Sequence, residues 1–270
     1  MLIYFCFLLV FLLCLRLNFS RSIKVNILIS SLIFSAIIVA LVELLSLFKS
    51  LNLISIAAFW GLFSLSLLYF LIKDHKKSIA TLISLKYSIS LSYSRFNLFE
   101  KIIVWFVIAC FSILLFQGII YPPNNWDSLT YHMTRIMFWL GNESVEHFPT
   151  HILRHLYQPA LTEYYILNIN ILNGNDYFSN SVQLFFLGLT IISVWTLLDW
   201  FKINWYFKLL GAFLVITIPS VLLQATTTKN DIVCSFFIIT SVYFCLKSYY
   251  YFTFKNFIFL GASIGLAFFT

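Results

Sequence analysis

Eight apolar runs, at roughly 2–17, 27–48, 53–72, 102–121, 179–201, 208–223, 232–250 and 256–270, leave this 270-residue chain little choice of architecture. A helix needs about 20 consecutive apolar residues to cross the hydrocarbon core of a bilayer, and several of these runs approach or reach that length. Backbone N–H and C=O groups find no water in lipid, so each run predicts a helix, whose hydrogen bonds close within the segment. Strands of a transmembrane barrel would alternate in polarity over about ten residues, and these runs do not. Composition agrees: the chain is 61% hydrophobic and 10% charged, against about 45–50% and about 25% in soluble domains. The expected fold is all-α, a polytopic transmembrane helical bundle of about eight spans with interfacial amphipathic helices in an external loop.

Lys and Arg set the expected orientation. Alternate loops hold thirteen of them (Arg16, Arg21, Lys24; Lys73, Lys76, Lys77, Lys86, Arg95, Lys101; Lys202, Lys208; Lys247, Lys255), and the remaining loops hold four (Lys49, Arg135, Arg154, Lys229). Basic loops stay on the cytoplasmic side, so the N-terminus and the long 122–178 loop are expected outside. The net charge of +7 therefore reads as topology; no basic, aromatic-interleaved patch points to nucleic acid. That external side receives Asp127, Glu143, Glu146, Glu163, Asp176, Asp231 and four of the five histidines. Loops much beyond about 15 residues usually carry a function or structure of their own.

Cys6, Cys14, Cys110, Cys234 and Cys245 all lie in or beside apolar runs without a CxxC pair, and read as buried thiols, not a disulfide or zinc framework. The first run lacks a basic n-region and a small-residue cleavage site, so it reads as a span and not a signal peptide. The Ser- and Lys-rich stretch 73–101 reads as a cytoplasmic connector. The chain stops inside an apolar run, Gly-Ala-Ser-Ile-Gly-Leu-Ala-Phe-Phe-Thr, which suggests further helices beyond it.

The chemistry-bearing stretch is 122–135, Pro-Pro-Asn-Asn-Trp-Asp-Ser-Leu-Thr-Tyr-His-Met-Thr-Arg. A carboxylate costs roughly 2.5–3.5 kcal/mol at mid-bilayer, so Asp127, at a membrane boundary, is a candidate reactive group. Read as a helix from 126 to 140, the segment places Leu129, Met133, Ile136, Met137 and Leu140 on one face and Asp127, Thr130, Tyr131 and Thr134 on the other. It would lie in the interface, apolar side down. Asn125 or Asp127 can cap its start, and a cap alone would account for the acid. Asp231, opening the seventh run, is equally explained as a favourable charge at a helix N-terminus; the two acids together could hold a divalent cation. His151 and His155 can share a helix face and bind a metal, or make ordinary hydrogen bonds. Arg135, Arg154 and Lys229 can grip a lipid phosphate or simply snorkel.

The 122–135 stretch, with His-Leu-Tyr-Gln-Pro-Ala-Leu-Thr-Glu at 155–163 after it, resembles the GT-C class of membrane glycosyltransferases. The likeness is to the family 39 branch, protein mannosyltransferase-like and aminoarabinose transferase-like, over about 101–270. In that family an acid opens the first external loop, matched here by Asp127, and a second lies before the fourth core helix, matched by Asp231. Ser128 stands where many members carry another acid. The resemblance divides the chain into a three-span N-terminal region with its connector, 1–100, and the first part of a glycosyltransferase core, 101–270.

The resemblance implies sugar transfer from a polyprenyl-phosphate donor to an acceptor hydroxyl on the external face of the cell envelope. Asp127 would be the catalytic base, with Tyr131, His132, Arg135, Arg154 and Lys229 binding substrate. The leaving phosphate would be met by Arg135, Arg154 or Lys229, or by a divalent metal held with the help of Asp231; His151 and His155 are the further metal ligands their spacing offers. The implied partners are the lipid-linked donor, membrane lipid and an acceptor; nucleic acid is not among them. A transporter or flippase for lipid-linked sugars, or a non-catalytic membrane subunit, remains an alternative.

Overall fold

A computed structural model describes residues 1–94 and 96–270, the side chains of 88–92 excepted. It contains helices and, among the described residues, no strand. All eight apolar runs are helical. Five are long and apolar enough to cross a membrane: α2 (Ile23–Leu47), α3 (Leu53–Lys73), α5 (Leu98–Ile120), α9 (Ser181–Trp200) and α12 (Asp231–Tyr250). Three are shorter: α1 (Leu2–Arg16), α10 (Trp205–Thr217) and α13 (Phe254–Phe268). At 1.5 Å per residue, a 15-residue helix reaches only about 23 Å. The run at 208–223 is not one helix. Pro219 forces Ile218 into an extended conformation (φ −61°, ψ 120°) and starts a separate short helix, α11 (Pro219–Gln224), as expected of a residue preceding proline.

Two further stretches depart from expectation. The 73–101 connector contains a 20-residue helix, α4 (His75–Ser94); Arg95, counted among its basic residues, lies outside the described residues. The 122–178 loop also has depth. It carries a π-helical turn (Ser128–His132) running into α6 (Met133–Asn142), then α7 (Arg154–Tyr157) and α8 (Leu161–Asn173). Of the thirteen residues of α8, eleven are buried, so it is an internal helix, not an interfacial one.

Helix starts are pinned by polar side chains. Ser22, Asn52, Asn97 and Thr253 each accept a hydrogen bond from the backbone three residues on, and Asn97 and Glu100 form a reciprocal capping box. These caps satisfy donors that a helix leaves unpaired. Gly174, at φ 67°, closes α8 in a left-handed conformation that glycine adopts without strain.

One hydrophobic core runs from Ile3 to Leu266 and joins the 1–100 and 101–270 regions. At its centre Trp60, Phe34, Tyr165, Phe186, Phe236, Phe237 and Phe244 are fully buried. α12 packs on α9 and α13, α1 on α2 and α3, and α10 on α9 and α5. Buried polar atoms are paired across long sequence distances: Trp60 Nε1 donates to Asn168 Oδ1 at 2.9 Å, and Ser35 and Tyr165 share a hydrogen bond at 2.8 Å.

The two ends of the bundle differ. At one, Arg16 pairs with Asp74, Lys24 and Lys208 both reach Asp199 (2.7 and 2.5 Å), and Lys255 donates to the Phe19 carbonyl. This end gathers the loops rich in Lys and Arg. At the other, Asn52 donates to Glu143, Lys49 faces Glu146, and Asn230 donates to the Thr270 carbonyl. Asp127 lies there as well.

Candidate functional site

The π-turn decides which side chains enter the site. Met133 N–H reaches back five residues to the Ser128 carbonyl, which adds a residue to the turn and rotates the residues after it relative to an α-helix. The face expected to lie apolar side down in the interface is split between protein and surface. Met133 and Ile136 are buried, but Leu129 and Met137 are exposed. The polar face is also redistributed. Ser128, Tyr131, His132 and Arg135 are all buried beside Met133 and Ile136, so this segment turns polar as well as apolar groups toward protein.

Asn125, not Asp127, caps the turn: its Oδ1 accepts from Ser128 N–H at 2.8 Å, and Asp127 makes no capping bond. The carboxylate instead meets two cations from distant segments. Lys229 Nζ, in the loop before α12, lies 2.8 Å from Oδ2; Arg154 Nη1, at the start of α7, lies 3.6 Å from Oδ1. About a third of the Asp127 side chain is exposed. The Lys229 hydrogen bond leads in holding this carboxyl below its ordinary range; partial burial works against it, and the charges of Lys229, Arg154 and His132 reinforce it. Asp127 is therefore a carboxylate at neutral pH.

Arg135, grouped with these cations in the sequence, is elsewhere. It belongs to a buried triad with His132 and Glu163. His132 Nδ1 lies 2.9 Å from Glu163 Oε1, and Arg135 Nη1 lies 3.6 Å from the same oxygen. The Arg135 guanidinium covers the Trp139 ring at 4.5 Å and donates to the Pro159 carbonyl. Burial pushes its pKa down while Glu163 supports its charge. His132 Nε2, Arg135 Nε and Glu163 Oε2 are buried without a protein partner.

Tyr131 sits between the two charge systems. Its ring lies 3.9 Å from the His132 ring and under the Arg154 guanidinium at 5.6 Å. Burial raises its phenol pKa first, and Glu163, Asp127 and Asp231 add to that. Both sequence-predicted acids, Asp127 and Asp231, therefore act on this one hydroxyl. Asp231 itself is exposed at the first turn of α12, where Gln183 Oε1 accepts from Ile232 N–H at 3.1 Å and supplies the cap.

The metal-ligand set read from the sequence does not assemble. Among the described residues no three His, Cys, Asp or Glu side chains gather. His155 has both ring nitrogens engaged, one with Thr150 Oγ1 at 2.8 Å and the other with the Thr130 carbonyl at 3.1 Å. Burial also lowers its pKa, so it is a neutral structural histidine. His151 is exposed on an irregular stretch after Pro149.

Glu163 is the site residue that sequence reasoning passed over as one external acid among six. Its signal was present: a carboxylate three residues into an otherwise uncharged helix. Comparison with protein-family models, with curated proteins and with solved structures finds no match to this chain.

Proposed function

We propose that the chain is an integral-membrane glycosyltransferase of the GT-C kind, with eight spans, its N-terminus and the 122–178 loop outside, moving a sugar from a polyprenyl-phosphate donor to an acceptor hydroxyl. The observation that carries the reading is the meeting of Asp127 with Lys229 and Arg154, at the end of the bundle away from the Lys- and Arg-rich loops. A donor anchored by its lipid tail presents its phosphate at that boundary, where two cations wait.

The chemistry rests on charge exchange. Without donor, Lys229 and Arg154 are spent on Asp127 and keep it weakly basic. A phosphate arriving at those cations competes with the carboxylate for them. Asp127 then loses the interactions that depressed its pKa and becomes a better base in the donor-bound state. It takes the acceptor hydroxyl proton as that oxygen bonds to the anomeric carbon. The bond from anomeric carbon to phosphate oxygen breaks, and the electron pair leaves on the phosphate, where Lys229 and Arg154 stabilise it.

The charged groups lie at helix ends and in loops, whereas transporters commonly bind substrate near the midplane, and this favours the enzyme over a flippase. The test is Asp127→Asn in the full chain, with transfer of labelled sugar from membrane donor lipid as the readout. The expected loss is about 10²–10⁴-fold, the usual worth of a positioned base, with an unchanged melting temperature. Turnover near that of the unmodified protein removes Asp127 from the reaction.

A further inference from the structure

We infer that the pocket beside the Asp127–Lys229 pair seats the donor's sugar and that this sugar is uncharged; the inference rests on the glycosyltransferase reading. The pocket, of about 290 Å³, is lined by Gln117, Tyr121, Asn124, Asn125, Thr226 and Thr227, with Pro122 and Leu223 completing its wall. None of these is a carboxylate, an amine, a guanidinium or an imidazole. Amides and hydroxyls supply donors and acceptors together, which is what a ring bearing several hydroxyls requires. At the lower end of the range for small-molecule sites, the volume suits one ring better than an oligomer.

Three observations point to a ligand there. Asn125 Oδ1 is committed to the Ser128 N–H, which fixes the orientation of its amide; its Nδ2 is buried with no partner. Gln117, an exposed amide on the last turn of α5, brings a further donor and acceptor to the same lining. The third observation is position. The segments 121–128 and 223–229, which form the pocket, are the same two that carry the ion pair. Thr228 N–H donates to Ser128 Oγ at 3.3 Å, one residue from the Lys229–Asp127 contact at 2.8 Å. A phosphate at Lys229 thus puts the group esterified to it at the pocket mouth.

The absence of charge in the lining sets the substrate class. With the phosphate holding the cations at the mouth, the ionised group of an amino sugar or a uronic acid, farther round the ring, would meet only amides and hydroxyls, which cannot neutralise it. A neutral hexose or pentose meets no such penalty.

The test measures binding to the full chain in nanodiscs. The probes are undecaprenyl phosphate alone and the same lipid bearing glucose, galactose, arabinose, glucosamine or glucuronic acid. At least one neutral sugar lipid is expected to bind tighter than the bare phosphate, and the glucosaminyl and glucuronyl lipids weaker than the best neutral one. Gln117→Leu and Thr226→Val should each weaken that best lipid roughly 3- to 10-fold, the worth of one neutral hydrogen bond, and leave the bare phosphate within twofold. Asn124→Ala, in the loop, gives a third variant should either of these fail to fold. Lys229→Met should weaken every probe. If the pocket variants act equally on sugar and bare lipids, or on neither, or if the charged sugars bind as well as neutral ones, the pocket assignment is overturned. Lipid phosphate that fails to bind the unmodified protein overturns the glycosyltransferase reading instead.

Discussion

Glu163→Leu is the substitution that most directly tests how the site is held. Glu163 and His132 are wholly buried and Arg135 nearly so, and one carboxylate oxygen serves both partners, at 2.9 and 3.6 Å. Removing the carboxylate leaves Arg135 buried without its counter-charge, a situation that typically costs about 3–5 kcal/mol. Two to four degrees per kcal/mol, the scale for a chain of this size, give a fall in melting temperature of roughly 6–20 °C. The assay is thermal unfolding in detergent followed with a thiol-reactive dye after the exposed Cys245 and the half-buried Cys110 and Cys234 have been blocked, since Cys6 and Cys14 are buried and become reactive only on unfolding. Glu146→Gln is the control. Glu146 faces Lys49 at 3.7 Å with both side chains about two-thirds exposed, and such pairs contribute about 0–1 kcal/mol. Replacing all three triad members by apolar residues (His132→Leu, Arg135→Met, Glu163→Leu) should recover part of the loss, because no charge is then stranded. A Glu163→Leu protein that melts within about 2 °C of the unmodified one refutes the triad as the element that locks α6 to α8.

Lys229→Met should move the acid limb of kcat/KM for the donor, which reports the donor-free protein, to higher pH: Asp127's pKa is depressed chiefly by Lys229, so its charge is lost only as pH falls through the depressed value, and removing Lys229 raises that point; an unmoved acid limb of kcat/KM rules this out. Trp60→Phe should cost about 1–3 kcal/mol by leaving Asn168 Oδ1 without the Trp60 donor in the core, read as a lower melting temperature, while Trp105→Phe, on the exposed face of α5, should be close to neutral. Asp176→Cys should react with an impermeant maleimide added outside intact cells and Lys76→Cys should not; the reverse labelling would invert the assigned topology.

Much of the architecture was legible because it depends on local composition. Each apolar run is a helix, the one form that would pair its backbone in lipid without outside partners, and the split of basic residues between loops anticipated which helix ends meet. The acid at Asp127 and the short list of cations expected at its end were likewise visible, but not that Lys229 and Arg154 close on the acid itself while Arg135 turns to Glu163. The π-turn was not. Face assignments assume 3.6 residues per turn, and one turn with an added residue moves Tyr131 from an expected open face into the interior. α8 was hidden for a different reason. Its asparagines make it look like loop, and they are tolerated in the core because partners outside the helix meet them, Asn168 with Trp60 from 108 positions away and Asn170 with Ser179 just past the helix end. The first of these pairings leaves no trace in the local pattern.

The two charge systems divide the work by depth. A phosphate can exchange with an ion pair only if the pair is cheap to break and reachable. Asp127 with Lys229 and Arg154 meets both conditions: the side chains are about 27–55% exposed, and partly solvated pairs hold by about a kcal/mol. The His132–Glu163–Arg135 triad meets neither, because opening it strands buried charge at several times that cost. Its worth to the site is therefore geometric. Glu163 on α8 grips His132 at the end of the π-turn and Arg135 on α6, and so fixes the rotation of the whole 127–142 segment. Asp127 lies one residue before that turn, and Tyr131 within it is packed against His132. The buried triad keeps the exposed carboxylate aimed, and the exposed pair is left free to trade partners.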